Sequence, residues 1–248
     1  MEWPVLSEPE RAVVARTWAY RGQSERRAEK RFARLARELE QTDASPVVID
    51  LTRAAVNDEQ RHAVLCDALA EEYGWPVSGA ASVADPAPLG PPELGLSDRV
   101  LFEMVAFCAF TETLNAAMLT QILKRARVPR IRDAVHAIVK DEVAHSRAGW
   151  AHLHDRRAQG HGAFLSALLP QLFEQARVED IFRADPSREG PRMADYGELD
   201  DASRTAIFRA VMRDVFFPGL ESLGLDTRTG RDWLSERQIR LDASEPAN

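Results

Sequence analysis

The sequence predicts an all-α protein: two antiparallel helical hairpins joined by a long crossover, with further helices at the C-terminal end. Three observations carry this. Apolar residues recur at three- and four-residue spacing through four long stretches, which is the period of a helix with one buried face. No stretch alternates apolar and polar residues as a half-buried strand would. Proline and the cap-forming serines fall at the starts of the stretches, where a helix tolerates or prefers them.

The first stretch opens at "SEPERAVVARTWAY", with Ser7 as cap and Pro9 in the first turn, and runs to about Leu39 with Gly22 as a candidate kink. The second, "SPVVIDLTRAAVNDEQRHAVLCDALAEEYG", is capped by Ser45, carries Pro46 in its first turn and stops at Gly74. The third is "SDRVLFEMVAFCAFTETLNAAMLTQILKRA" and the fourth "PRIRDAVHAIVKDEVAHSRAGWAHLHDRRA". Only a few residues separate the first from the second and the third from the fourth, so each pair is an antiparallel hairpin. Between the pairs lies "WPVSGAASVADPAPLGPPELGL", about residues 75–96, whose Pro, Gly and Ala content suits a crossover. Three further helices are expected near 163–183, 199–222 and 229–240. On this reading residues 1–160 form the bundle, and residues 161–248 are an extension packed on it within the same domain.

The 248 residues are 45% hydrophobic and 29% charged, which suits a globular chain with a sizeable core. A net charge of -7 argues against a nucleic-acid surface, which needs a basic stripe. The Arg-rich segment "ERRAEKRFARLARELE" interleaves glutamates at helical spacing and reads as a solvated, internally paired face. No 18-residue run of apolar residues is evident, so no membrane partner is expected. The N-terminal "MEWPVLSEPE" has neither the basic nor the apolar region of a secretory signal, so the expected location is the cytoplasm. Cys66 and Cys108 are the only cysteines, too few for a disulfide framework, and each reads as a small buried hydrophobe.

The strongest signal is an internal repeat. "NDEQRH" at 57–62 returns as "KDEVAH" at 140–145, an offset of 83 residues. The same offset places Pro46 on Pro129, Asp50 on Asp133, Asp58 on Asp141, Glu59 on Glu142, His62 on His145 and Glu29 on Glu112. Each hairpin thus carries a glutamate on its first helix and, thirty residues on, a Glu-x-x-His on its second. Residues three apart share a helix face, so Glu59 projects with His62 and Glu142 with His145. Glu29 and Glu112 lie on apolar stripes and are expected to point inward. Four carboxylates in a dry core repel one another unless they are protonated or balanced by cations, and two divalent ions supply the matching charge. One Glu-x-x-His arises readily on any charged helix; two in register, each with its own glutamate, do not.

With these residues in place the chain resembles the ferritin-like di-iron carboxylate superfamily, which includes rubrerythrins, bacterioferritins and the di-iron oxygenases. The resemblance covers roughly residues 9–158 and implies a ferritin-like four-helix bundle holding two iron ions. It implies Glu29, Glu59, His62, Glu112, Glu142 and His145 as metal ligands, with Glu59 and Glu142 bridging. Manganese at one position also suits this ligand set. Glu25, one turn before Glu29, is the rival first ligand, and the gapless repeat favours Glu29. The resemblance further implies that Asp58 orients His145 and Asp141 orients His62, each across the hairpins. His152 is a weaker candidate ligand; His136, His154 and His161 read as surface residues.

The activity implied is that of an oxidoreductase that activates dioxygen or peroxide to oxidise or oxygenate a small organic substrate, with electrons from an external donor. An iron-handling or stress protein, whose ferroxidase activity is itself the function, is the alternative; a metal-free interaction domain is a third. Cys66 stands where a ribonucleotide reductase radical subunit would carry its tyrosine. No rubredoxin-like cysteine pairs exist, and the crossover and extra helices fit a storage cage poorly. Ala116 departs from the threonine that many di-iron hydroxylases place one turn after the third-helix glutamate, with Asn115 as a neighbouring polar group. Phe107 and Phe110 are candidate pocket walls. The oligomeric state stays open, a homodimer being one candidate.

Overall fold

The computed structural model describes residues 6–76, 83–188, 190 and 192–241, and among them every regular element is helical. Helix α1 spans Glu8–Leu39 and α2 spans Pro46–Glu72. The third run, Leu96–Arg125, comprises α3 (Leu96–Glu103), a π-helical stretch (Met104–Glu112) and α4 (Thr113–Arg125). Helix α5 spans Pro129–Ala158.

Local chemistry sets these boundaries. Ser7 and Glu10 form a reciprocal capping box at the start of α1, the Ser7 N–H donating to Glu10 Oε2 at 2.8 Å. Ser45 caps α2 by accepting from the Val48 N–H, with Pro46 at the first helical position. Gly74, at φ +96°, takes the left-handed conformation after α2, and the Trp75 N–H closes back on the Ala70 carbonyl at 2.9 Å.

Helix α1 packs along α2, α5 packs along the π-helical stretch and α4, and α2 meets α5. The described part of the crossover lies on α1, where Lys30 Nζ donates to the Val83 carbonyl at 2.6 Å and to Asp85 at 2.8 Å. Residues 77–82 of the expected crossover lie outside the described residues. Gly149 permits the closest approach between α5 and the π-helical stretch, since a Cβ there would stand 2.4 Å from the Ala109 backbone nitrogen.

Two apolar clusters fill the interior of these four helical runs. Phe32, Leu35, Val48, Ala55, Val100, Met104, Cys108 and Ala148 belong to one, and Trp18, Cys66, Leu69, Leu119, Ile122, Ile131 and Ile138 to the other. Each run passes from one cluster to the other, and Glu25, Glu59, His62, Glu112, Glu142 and His145 lie at the crossing. A third cluster joins Phe102, Val105, Phe110 and Leu153 to Phe173, Phe208, Phe216 and Leu234 of the C-terminal part. That part comprises α6 (Leu165–Gln175), a 3₁₀ turn (Val178–Phe182), α7 (Asp201–Val211), α8 (Phe217–Ser222) and α9 (Arg228–Glu236). A π-helical turn, Met212–Phe216, links α7 to α8. These follow the three expected helices, with the first broken after Gln175.

One expectation needs correction. The run Leu96–Arg125 is long and apolar enough, by length and composition, to cross a membrane, its best window having a mean hydropathy of 1.3. Its apolar length arises because it is the most enclosed helix: 72% of that window is buried inside the protein. It therefore reads as a core helix, and the sequence reasoning underestimated it because Glu103 and Glu112 interrupt the apolar run.

Candidate metal centre

Glu59, His62, Glu142 and His145 are all buried, none more than 2% exposed. They converge because α2 and α5 run antiparallel with Pro46 and Pro129 starting both helices thirteen residues before their glutamates. The His62 Nδ1 lies 3.5 Å from Glu59 Oε2 and 3.8 Å from Glu142 Oε1. The His145 Nδ1 lies 3.1 Å from Glu59 Oε1 and 3.4 Å from Glu142 Oε2. Each carboxylate thus turns one oxygen to each imidazole.

The outer imidazole nitrogens are held across the hairpins. His62 Nε2 meets Asp141 Oδ2 at 3.2 Å, and His145 Nε2 meets Asp58 Oδ2 at 3.2 Å. With the Nε2 proton donated to a carboxylate, the Nδ1 lone pair faces inward. Arg61 reaches both aspartates, donating to Asp58 Oδ1 at 2.5 Å and to Asp141 Oδ2 at 3.2 Å. Sequence reasoning missed this residue. Its only signal was its place before His62, and the repeat hides it because position 144 is alanine.

Glu112 is buried on the last turn of the π-helical stretch, as expected. The first-helix position differs. Glu25 is buried and joins Glu59, His62 and Glu142 in a group whose ligand atoms all lie within 4.8 Å of one another. Glu29, one turn further along α1, is only partly buried and accepts from Gln60 Nε2 at 2.7 Å. The physical reason is the length of the connection. The two second helices match residue for residue, but six residues, 40–45, join α1 to α2, whereas three, 126–128, join α4 to α5. Glu25 accordingly precedes Glu59 by 34 residues while Glu112 precedes Glu142 by 30, a difference of one helical turn.

Electrostatics mark this layer as strained without a cation. Burial, and then the neighbouring Glu59 carboxylate, holds Glu25 well above the usual carboxylate range; burial and then Glu142 do the same to Glu112. Burial also raises Glu59 and Glu142, although His145 beside them pulls the other way. Burial disfavours a charged His145, but Glu142 and Glu59 outweigh it and push that imidazole up to about 11. Both oxygens of Glu59, both of Glu142 and the Nδ1 atoms of His62 and His145 make no hydrogen bond of good geometry, although the imidazoles approach the carboxylates at 3.1–3.8 Å. Two imidazoles cannot satisfy all the carboxylate oxygens of such a buried cluster, and polar groups left without good hydrogen bonds in a dry core are costly unless something else satisfies them. Ligand bonds of about 2.0–2.2 Å, as zinc makes to nitrogen and oxygen, separate opposed ligands by about 4 Å. The residues therefore fit a metal centre in both spacing and donor type.

Other expected residues fall outside the group. Cys66 and Cys108 are buried, free thiols, pushed up by burial and then by the nearby carboxylates, which suits small hydrophobes rather than thiolate ligands. His136, His154 and His161 are exposed. His152 is 2% exposed and its Nδ1 has no partner. Burial, and then Arg156, lowers it to about 4. An unfolded histidine titrates near 6.5, so between the two values the unfolded chain binds the extra proton and stability falls as pH drops. A His152→Leu variant is expected to lose about 3 kcal/mol of this acid-side decline between pH 6.5 and 4. Denaturant unfolding of both proteins across that range measures the difference.

Compared with protein-family models, curated proteins and solved structures, the chain matches none.

Proposed function

We propose that the chain is a ferritin-like di-iron carboxylate oxidoreductase, with Glu25, Glu59, His62, Glu112, Glu142 and His145 holding two iron ions. The observation that carries this reading is the convergence of six buried ligand atoms, none with a hydrogen bond of good geometry, from two Glu-x-x-His pairs. When bound there, iron would supply the redox chemistry for activating dioxygen or peroxide toward a small organic substrate, with an external donor as the source of electrons. The protein's part is to position and to exclude. Glu59 and Glu142 are the carboxylates that would serve both ions, because each faces both imidazoles. Asp141 and Asp58 hold the outer imidazole protons so that both Nδ1 atoms point inward. Phe32, with its ring centre 5.1 Å from that of His145, walls the layer against water on one side.

Metal analysis of protein loaded anaerobically with ferrous iron tests the reading. About two ions per chain are expected; a chain that takes up none despite supplementation would be a metal-free interaction domain instead. The near-complete burial of the ligands favours a second reading, an iron-handling ferroxidase that needs no organic substrate. Sustained ferrous oxidation with mineral formation and no organic partner would select it.

The histidine partners give a sharper expectation. Asp58→Asn and Asp141→Asn should keep the helical fold and weaken iron affinity or activity by roughly 10- to 100-fold. Asp58→Asn should perturb mainly the iron held by His145, and Asp141→Asn the one held by His62. Mössbauer spectra of the ferrous proteins separate the two, and wild-type behaviour in both variants would remove the role assigned to the aspartates.

A further inference from the structure

The turn between α4 and α5 borders a cleft of about 660 Å³ that has no part in the metal centre. Four cationic side chains line it: Lys124, Arg125, Arg127 and Arg132, with Asp195 opposite. All four are exposed. In a chain of net charge -7 this concentration of positive charge needs a cause.

Part of it is structural. Arg132 donates to the Leu123 and Ala126 carbonyls at 2.6 and 3.0 Å, which satisfies backbone acceptors at the end of α4. Lys124 and Arg125 occupy the last turn of α4, where the helix dipole favours cations. That dipole amounts to only about half a negative charge. The two carboxylates within reach are Asp200, 3.6 Å from Arg125, and Asp195, 3.5 Å from Arg127. Four cations against two carboxylates and half a charge leave about 1.5 positive charges uncompensated.

Two guanidiniums are also held by neutral acceptors, Arg132 by the carbonyls and Arg125 by Ser203 Oγ at 2.7 Å beside Asp200, so the orientation of both is fixed while Arg132 has no carboxylate paired with it. Fixed guanidiniums match the paired oxygens of phosphoryl and carboxylate groups. We propose that this cleft binds a small, multiply charged oxyanion, phosphoryl- or carboxylate-bearing, against Lys124, Arg125, Arg127 and Arg132. The bound anion would tie the α4–α5 turn to the segment around Asp195, whose carbonyl already accepts from the Arg127 and Val128 N–H groups.

Calorimetric titration of the intact chain at low salt tests this, with pyrophosphate and citrate as probes and sulfate as the ionic control. Saturable binding of one pyrophosphate or citrate per chain is expected. It should weaken about ten-fold or more in a Lys124→Glu/Arg127→Glu variant, which loses two of the four charge-assisted contacts. Lys124→Gln, a smaller change, should weaken it in the same direction. Arg228→Glu, an exposed charge reversal outside the cleft, should leave it unchanged. The tighter probe decides between phosphoryl and carboxylate chemistry. No saturable binding below about 1 mM overturns the proposal. So does binding that ignores the Lys124 and Arg127 changes, or a response equal for sulfate that vanishes at about 0.15 M salt, which is only ionic screening.

Discussion

Glu59→Ala and Glu142→Ala are each expected to take the iron-loaded chain from about two metal ions to close to none. The expectation follows from where the oxygens point. Glu59 turns Oε1 to His145 and Oε2 to His62, and Glu142 turns Oε2 to His145 and Oε1 to His62. A carboxylate so placed serves both ions, so its loss takes a ligand from each and a negative charge from the pair. The ions would then face two imidazoles and too few carboxylates to balance four positive charges. The fold should survive, because each variant also removes one member of a crowded set of buried carboxylates whose protonation burial already favours. Metal analysis of the gel-filtered variants, with circular dichroism to verify helix content, checks both halves of the expectation. Two ions retained in either variant would overturn the bridging role, and one ion retained would show that the carboxylate serves a single site.

The helices, and half of the centre, were legible because they rest on local rules. Ser7 and Ser45 cap helices, Pro46 and Pro129 start them, and the three-residue spacing of Glu59 with His62 and Glu142 with His145 fixes a shared face. The cross-hairpin aspartates were legible through the resemblance, and the structure sets them at hydrogen-bond distance from the opposite histidines. The features that were not legible depend on how the helices meet. The π-helical stretch "MVAFCAFTE" contains no proline or glycine to announce it; its counterpart on α5 is Gly149, which lets the two backbones close up. Arg61 looks like any surface arginine until Asp141 arrives from α5. The cationic cleft forms only where the segment around Asp195 folds over the α4–α5 turn.

The first-helix position is where the repeat and the burial pattern part, because the 83-residue offset pairs Glu112 with Glu29 while the buried group contains Glu25. An offset that holds without a gap from Pro46 to His62 was carried back across the hairpin turn, where the chain is three residues longer and α1 extends one residue further beyond its ligand. Burial along α1 favours Glu25: it is buried with Trp18, Gly22 and Phe32 on one inward stripe, whereas Glu29, one turn further along the same stripe, is only partly buried. Glu25→Ala is therefore expected to cost at least one of the two ions, whereas Glu29→Ala should retain both. Glu29 touches Gln60 in a partly exposed contact, and such surface substitutions shift stability by no more than about 0.5 kcal/mol. Side-by-side iron titrations of the two variants decide the assignment. Loss of iron in Glu29→Ala with wild-type binding in Glu25→Ala would restore the gapless repeat and require α1 to slide by about one helical turn, ~6 Å, along its axis from the position described. Loss in both would mean that Glu29 supports Glu25 through the shared turn of helix, and an additional Gln60→Ala variant, which removes the Glu29 contact while leaving both carboxylates, would then be expected to lose iron as well.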